Sequence, residues 1–327
     1  MVKKQVIILL VIVLVFASFN FSIYQLLTQR LANNFSSATQ AQMIDVKSYL
    51  PFDSHSDLVN INSSLKLNDE LPVLDGAAAL LPVYASIIHN VYPEGCVTYD
   101  GGVFSDDNYY GENFAKDSAM QYKNTVRGYK AIVDGETDLL FCAAPSQAQK
   151  QYALDQGVEL EYVPIGLEGF VFFVNENNPV NDLTVEQIRG IYSGKYTNWK
   201  ELGGTNRIIN PITRLQGSGS QTTFESFMKG EKIARKHPLA IIGGSIGFSF
   251  RYYMDGIVEN DHVKMLSING VAPTPSNIQN HTYPIVASFY AIYRKDNTNK
   301  NIPVLIDWIL SEEGQDLIEK SGYVRIN

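Results

Sequence analysis

The sequence predicts an α/β protein of two lobes joined by a hinge, preceded by an apolar N-terminal helix and a polar stalk. With 327 residues, the chain exceeds one typical domain. After Leu71, apolar strands alternate with amphipathic helices, an order typical of βα units and a largely parallel sheet. The last strand and helices are expected to return the chain to the first lobe, so the chain would cross between lobes twice.

The composition is that of a globular protein with an acidic surface. Hydrophobic residues make up 45% of the chain and charged residues 18%, and the formal net charge is −8. This charge disfavours nucleic acid as a partner, and a small anion would need a local positive site. The histidines are scattered without HxxxH spacing, so neither a metal site nor a cofactor is expected. Cys96 and Cys142 are read first as buried small hydrophobes, with a single disulfide left open.

The N-terminal segment is a signal peptide or a membrane anchor. Lys3 and Lys4 precede an uncharged run over residues 5–29, in which apolar residues continue to Leu27 without a small-x-small cleavage site. Retention as a transmembrane helix over 1–29 is therefore favoured. The positive charge before the run predicts a single-pass protein with the remaining chain on the extracytoplasmic face. Residues 30–69 are expected to form the polar stalk.

The binding domain is expected to span 70–327. Its first lobe would comprise about 70–166 and 290–327, and its second lobe about 167–289. Strands are expected at 71–76, 96–101, 138–145, 169–175 and 283–295. Thr184 and Gln187 form a capping box at the start of a helix.

The segment from Arg214 to Gln221 carries the clearest chemistry. A strand delivers Arg214, and a Gly-Ser-Gly-Ser turn then opens a helix. Helix N-termini present unpaired amides and a positive dipole end, and glycines let the backbone approach an anion. Ser218 and Ser220 add hydroxyl donors, and Arg214 adds a charged fork of donors. The P-loop lysine is absent, so the segment is not a nucleotide P-loop.

A second motif belongs to another function class. Ser245 occupies the nucleophile position of a formal GxSxG, with Asp255 and with His262 or His281 as partners for a serine hydrolase. The surrounding sequence instead indicates a glycine turn entering a strand, so the hydrolase stays a remote alternative.

At these residues the chain resembles the phosphate-binding proteins of ABC importers, which have the type II periplasmic binding fold. Five segments, in the family's order, carry the resemblance: 75–87, 135–146, 178–204, 214–227 and 311–324. The resemblance implies a ligand held by Arg214, Ser218, Gly219 and Ser220. It similarly implies first-lobe donors at the backbone amides of Ala78 and Ala79 and, by a looser match, at Thr125.

Three positions depart from that family's pattern. Ala78 replaces a common hydroxyl, and Ala143 replaces an aspartate that accepts the proton of protonated phosphate. Gln216 replaces a residue that is often acidic beside the arginine. The selectivity for phosphate is therefore left open, with Asp75, Asp100 and Asp138 as other carboxylates that could take part.

The expected function is non-enzymatic. A membrane-anchored, extracytoplasmic solute-binding protein would capture phosphate or another small oxyanion and present it to the permease of an ABC importer. The alternative keeps the fold and makes the protein a tethered anion sensor or surface interaction protein with an altered ligand site.

Overall fold

The computed structural model describes residue 5 and residues 13–24, 44–102, 112–235, 240, 243–258 and 262–326. Residues 13–24 are helical. Across the described ranges, no helix is both long and apolar enough to cross a membrane. The transmembrane segment predicted over 1–29 lies largely outside these ranges, as does the stalk over 30–43.

A seven-stranded sheet runs through the domain in the order β1, β4, β11, β5, β8, β7, with β9 also paired to β5. Its strands are β1 (Leu74–Gly76), β4 (Leu139–Ala143), β5 (Leu160–Asn175), β7 (Ile209–Pro211), β8 (Gly244–Phe250), β9 (Val263–Met265) and β11 (Val286–Arg294). Two small pairs lie apart from it: β2 (Tyr99–Gly102) with β3 (Glu112–Phe114), and β6 (Asp182–Leu183) with β10 (Ser267–Ile268).

Eight α-helices are described after residue 44. They are α1 (Leu81–Val91), α2 (Asn124–Asp134), α3 (Gln147–Asp155), α4 (Val185–Tyr192), α5 (Gly219–Met228), α6 (Pro275–Gln279), α7 (Asn301–Leu310) and α8 (Glu312–Lys320). Sequence signals set several of their starts. Thr184 and Gln187 form the predicted capping box of α4, and Pro82 lies in the first turn of α1, where its missing N–H costs nothing.

The long strand β5 joins the two halves of the domain. Residues 160–169 of β5 pair antiparallel with β11, whereas residues 170–175 pair with β8 and β9. Two large clusters of buried side chains lie on either side of this change of partner. One gathers residues between 44 and 165 with α7 and α8, and the other gathers residues between 167 and 283. The protein is thus a mixed α/β protein of two domains, the first and the second lobe.

The prediction of a largely parallel sheet is wrong. Only β1 with β4 and β7 with β8 run parallel within the main sheet, and β11 and β5 pair antiparallel with their neighbours. The strand predicted over 96–101 belongs to the separate β2–β3 hairpin. The order of strands and helices along the chain does not determine which strands become neighbours in the sheet. β11 lies between β4 and β5 although it comes much later in the chain, and it runs antiparallel to both.

The predicted polar stalk does not extend to residue 69. Ile44, Val46 and Leu67 are buried in the first cluster. The Phe52 amide donates to His89 Nδ1 at 3.1 Å, and the Ile61 amide donates to Asn90 Oδ1 at 2.7 Å. Residues 44–69 therefore pack along α1 as part of the domain. Their apolar residues are spaced irregularly because the segment lies extended across a helix. The sequence therefore shows neither a helical nor a strand period that would indicate their burial.

Candidate functional site

A cavity of about 530 Å³ lies between the two halves of the domain. Every site residue predicted from the sequence lines it: Ala78, Ala79, Thr125, Arg214, Ser218, Gly219 and Ser220. The structure therefore brings these residues together around one space, although they come from distant parts of the chain.

The Gly-Ser-Gly-Ser turn opens α5 as its sequence predicts. Ser218 is the N-cap, and its Oγ accepts from the Gln221 amide at 3.3 Å. The amides of Gly219 and Ser220 begin the helix, where no intrahelical acceptor exists for them. They point out of the helix end, together with the positive end of its dipole. This end of the cavity is suited to a small anion.

Arg214 enters the same end of the cavity just before that turn. Its backbone amide donates to Gln221 Oε1 at 2.9 Å, which ties the arginine to the first turn of α5. Gln216 is turned away, because its Nε2 donates to Glu225 Oε2 at 3.3 Å. Gln216 therefore does not line the cavity beside Arg214.

The opposite wall comes from the starts of α1 and α2. Asn124 has a positive φ of 59°, and its Oδ1 accepts from the Thr125 amide at 2.7 Å. The Ala78 amide is also directed at this Oδ1, at a long 3.5 Å. Asn124 was not predicted as a site residue. Non-glycine residues in the left-handed region often occur at binding sites, but the sequence alone does not show that Asn124 has a positive φ.

The two walls approach each other along one edge of the cavity. A Cβ added at Gly219 would lie 3.4 Å from Ala143 Cβ and 3.9 Å from Thr125 Oγ1. Nearby, Gln149 Nε2 donates to the Gly217 carbonyl at 3.4 Å. Residues of the second lobe thus contact residues of the first across the site.

The charged residues of the lining are mostly positive. Lys123, Arg127 and Arg214 line the cavity, and Glu168 is the one acidic residue among the described lining residues. Lys123 Nζ also pairs with Glu136 Oε2 at 2.8 Å. Sequence reasoning missed Lys123, Arg127 and Glu168. This local excess of positive charge occurs in a chain whose formal net charge is −8.

Glu168 is buried where β5 changes partner. Its Oε1 lies 3.3 Å from Arg251 Nε and accepts from the Gly169 amide at 2.9 Å, while its Oε2 accepts from the Tyr252 amide at 3.2 Å. Burial raises the pKa of Glu168 to about 7, against the opposing effect of Arg251. The cavity therefore contains a carboxyl group whose charge changes near neutral pH.

None of the carboxylates considered in place of Ala143 lines the cavity. Asp75 is buried beneath it, where Oδ1 accepts from the Lys123 amide at 2.9 Å, and burial raises the pKa of Asp75 to about 6. Asp138 lies at the other end of β4 from Ala143, where it accepts from the Val73 amide at 2.8 Å. Asp100 lies in the β2–β3 hairpin.

The remaining sequence candidates do not form a reactive centre. Ser245 lies within β8 rather than at a strand-to-helix turn, and its Oγ accepts from Asn210 Nδ2 at 3.0 Å. Both cysteines are free thiols. Among the residues that the structure covers, no group of His, Cys, Asp and Glu is placed to hold a metal ion.

Comparison with known families gives a match over most of the domain. The model of the PBP superfamily domain matches residues 106–313. The phosphate-binding protein PstS of Staphylococcus epidermidis is 29% identical over 222 residues, which cover 61% of this chain and 67% of that protein. PstS of Bacillus subtilis is 30% identical over 175 residues, covering 50% of this chain and 56% of that protein. The matched region thus spans between 56% and 67% of these relatives' own length.

Comparison with solved structures finds a similar overall fold. A phosphate ABC transporter substrate-binding protein from Clostridium perfringens, crystallised with bound phosphate, superposes with a TM-score of 0.57 at 26% identity. The superposition covers 78% of this chain and 98% of that protein.

Proposed function

The chain belongs to the PBP superfamily, and from that premise we propose that it is the extracytoplasmic substrate-binding protein of an ABC importer. Its ligand is a tetrahedral oxyanion of the phosphate class, held between the two lobes. The observation that carries this proposal is the position of Arg214 and the start of α5 at one end of a cavity whose charged lining residues are mostly positive.

Each lobe supplies part of the site. Arg214, Ser218, Gly219 and Ser220 bind the anion from the second lobe, through the guanidinium, the hydroxyls and the amides at the helix start. Thr125 and the amides of Ala78 and Ala79 bind it from the first lobe. A ligand that contacts both lobes favours the closed arrangement over the open one, because only the closed arrangement completes its contacts.

Closure requires a hinge between the lobes. We place the lobe boundaries near residues 166 and 290, on β5 and β11, with a third passage near Val324. The Leu167 amide donates to the Val324 carbonyl at 2.7 Å beside the point where β5 changes partner. Few backbone segments pass between the lobes, so a small change in their dihedral angles moves one lobe relative to the other.

The N-terminal segment is proposed to anchor the domain as a single-pass helix on the outer face of the cell membrane. The support is the sequence itself, with Lys3 and Lys4 before the apolar run over 5–29. The partner is the permease of the importer, to which the closed domain delivers its ligand.

Calorimetry with the Arg214→Ala variant tests the binding site. We expect the affinity for inorganic phosphate, or for the tightest-binding phosphorus oxyanion, to fall by roughly 2–4 kcal/mol, because a desolvated anion loses its charged partner. Arg207→Ala is the matched control, since Arg207 is an exposed arginine of the same lobe outside the cavity. Unchanged affinity in Arg214→Ala would place the anion elsewhere, and equal losses in both variants would indicate only a general charge effect.

A further inference from the structure

The cavity is much larger than an inorganic phosphate ion. A phosphate ion is the size of about five water molecules, or roughly 150 Å³. The cavity holds about 530 Å³, within the range of pockets that bind drug-sized molecules. Most of the space would therefore remain after phosphate had bound.

The two lobes approach each other closely at the anion end of the cavity. The start of α5 lies close to the first lobe, since an added Cβ at Gly219 would lie 3.4 Å from Ala143 Cβ and one at Gly217 would lie 3.5 Å from Val126 Cγ2. The Gln149 side chain bridges the same edge through its bond to the Gly217 carbonyl at 3.4 Å. The remaining space of the cavity lies partly beside the exposed side chains of Leu215 and Val126.

Carbon atoms stand beside the anion donors. Ala143 presents its methyl group next to Gly219, and the Phe250 ring edge lies 3.8 Å from the position of a Gly219 Cβ. Ala77, Ala78, Leu215 and Phe289 also line the cavity. An oxygen of inorganic phosphate that faced these groups would lose water without gaining a donor, which is unfavourable.

The hinge side of the cavity has a polar group with no partner. Tyr323 lines the cavity and is 4% exposed, and its hydroxyl has no hydrogen-bond partner within the described part of the chain. Buried hydroxyls without partners are uncommon in folded proteins. A ligand that extends from the anion end towards the hinge would reach this wall, and a polar atom at its far end would give the hydroxyl an acceptor.

We propose that the site takes a phosphorus oxyanion that carries an organic substituent, a phosphonate or a phosphate monoester, in preference to inorganic phosphate. The phosphorus oxygens bind Arg214 and the start of α5, and the substituent lies along the apolar wall towards Ser288 and Tyr323. The carbon that replaces the fourth oxygen in a phosphonate, or the substituted fourth oxygen of a monoester, faces the methyl groups that offer no donor. This inference rests on the proposed function, because it assigns a substrate class to the same site.

Calorimetry on the purified protein distinguishes the ligands. The series comprises inorganic phosphate, methylphosphonate, phenylphosphonate and phenyl phosphate, with benzyl alcohol as the probe that lacks the anion. We expect the two phenyl compounds to bind at least tenfold more tightly than inorganic phosphate. The affinity for methylphosphonate should lie between that for phosphate and those for the phenyl compounds. Phenylphosphonate and phenyl phosphate together tell whether a direct carbon or an ester oxygen is preferred.

Reducing the space inside the cavity gives a second readout. Ser288 lines the cavity from β11, and Ser288→Leu places a larger side chain there, with Ser288→Ala as the matched control. Ser288→Leu should reduce the ratio of phenylphosphonate to phosphate affinity at least fivefold, and Ser288→Ala should leave that ratio within twofold. If Ser288→Leu does not fold, the ligand series on the parent still decides.

The outcomes separate this inference from the proposed function. Inorganic phosphate binding as tightly as the phenyl compounds would overturn the inference and leave the proposed function standing. Absence of binding by every phosphorus oxyanion would overturn both. Benzyl alcohol binding as tightly as phenylphosphonate would also overturn the inference, since the anion end would then contribute nothing.

Discussion

Two neighbouring glycines at the start of α5 should respond in opposite ways to the same substitution. Gly219 is not among the glycines with positive φ, whereas Gly217 has φ +79°. A Cβ at Gly219 would make ordinary contacts, at 3.4 Å from Ala143 Cβ, 3.8 Å from Phe250 Cε2 and 3.9 Å from Thr125 Oγ1. Gly219→Ala therefore fits the folded protein, but its methyl group points into the space between the lobes.

The magnitudes follow from these contacts. Alanine in a backbone conformation that it can adopt raises the free energy of unfolding by about 0.4–1 kcal/mol, because the unfolded chain has less freedom to lose. The same methyl group obstructs the approach of an anion to the helix start. Loss of one charge-assisted hydrogen bond costs about 1.5–3 kcal/mol, which corresponds to roughly 10- to 150-fold in affinity. Gly219→Ala should therefore be at least as stable as the parent and bind far more weakly.

Urea unfolding and calorimetry with inorganic phosphate and phenylphosphonate measure the two effects separately. Gly217→Ala is the matched control, because it adds the same methyl group in the left-handed region and should lower the free energy of unfolding by about 1–2 kcal/mol. Parental affinity in Gly219→Ala would refute the position of the anion at this turn. A loss of stability in Gly219→Ala equal to that in Gly217→Ala would refute the packing argument.

Two further predictions concern stability. Burial raises the pKa of Glu168 from 4.5 to about 7. Between these pH values the folded protein therefore binds more protons than the unfolded chain. The contribution of Glu168 to the free energy of unfolding falls by roughly 3 kcal/mol as the pH rises through this range. Urea unfolding across this range should show a decline in the parent that is shallower in Glu168→Gln; equal slopes would contradict the shift. Leu67→Ala should cost about 2–5 kcal/mol because Leu67 is 6% exposed in the first cluster, and a cost below about 0.5 kcal/mol in the same assay would mean that residues 44–69 are not part of the core.

The features that the sequence predicted well are local ones. The turn at Gly217–Ser220, the N-cap at Ser218 and the capping box at Thr184 depend on residues within one helical turn, so the order of residues is enough to place them. The packing of 44–69 on α1 and the isolation of the β2–β3 hairpin depend on partners far along the chain. No local pattern encodes those partners, and the sequence reading therefore erred at both places.

The site shows the same division. Arg214 was found because it stands beside its turn, whereas Lys123 and Arg127 line the cavity only because α2 begins opposite α5. An isolated charged residue on a predicted helix is usually exposed to solvent, so its sequence position indicates a binding role only once the element facing the helix is known.

For Glu168, the sequence could predict burial of the carboxylate but not its partner. An acidic residue directly before the apolar run 169–175 signals a buried carboxylate that needs a cationic partner. That signal was available, but the partner was not. Arg251 lies beside Glu168 because β5 and β8 pair with Phe170 opposite Phe250, and a shift of that register by one residue would turn Arg251 to the other face of the sheet. The register is fixed by apolar side chains on both strands together. The chemistry of the hinge side of the cavity therefore follows from packing that neither strand specifies alone.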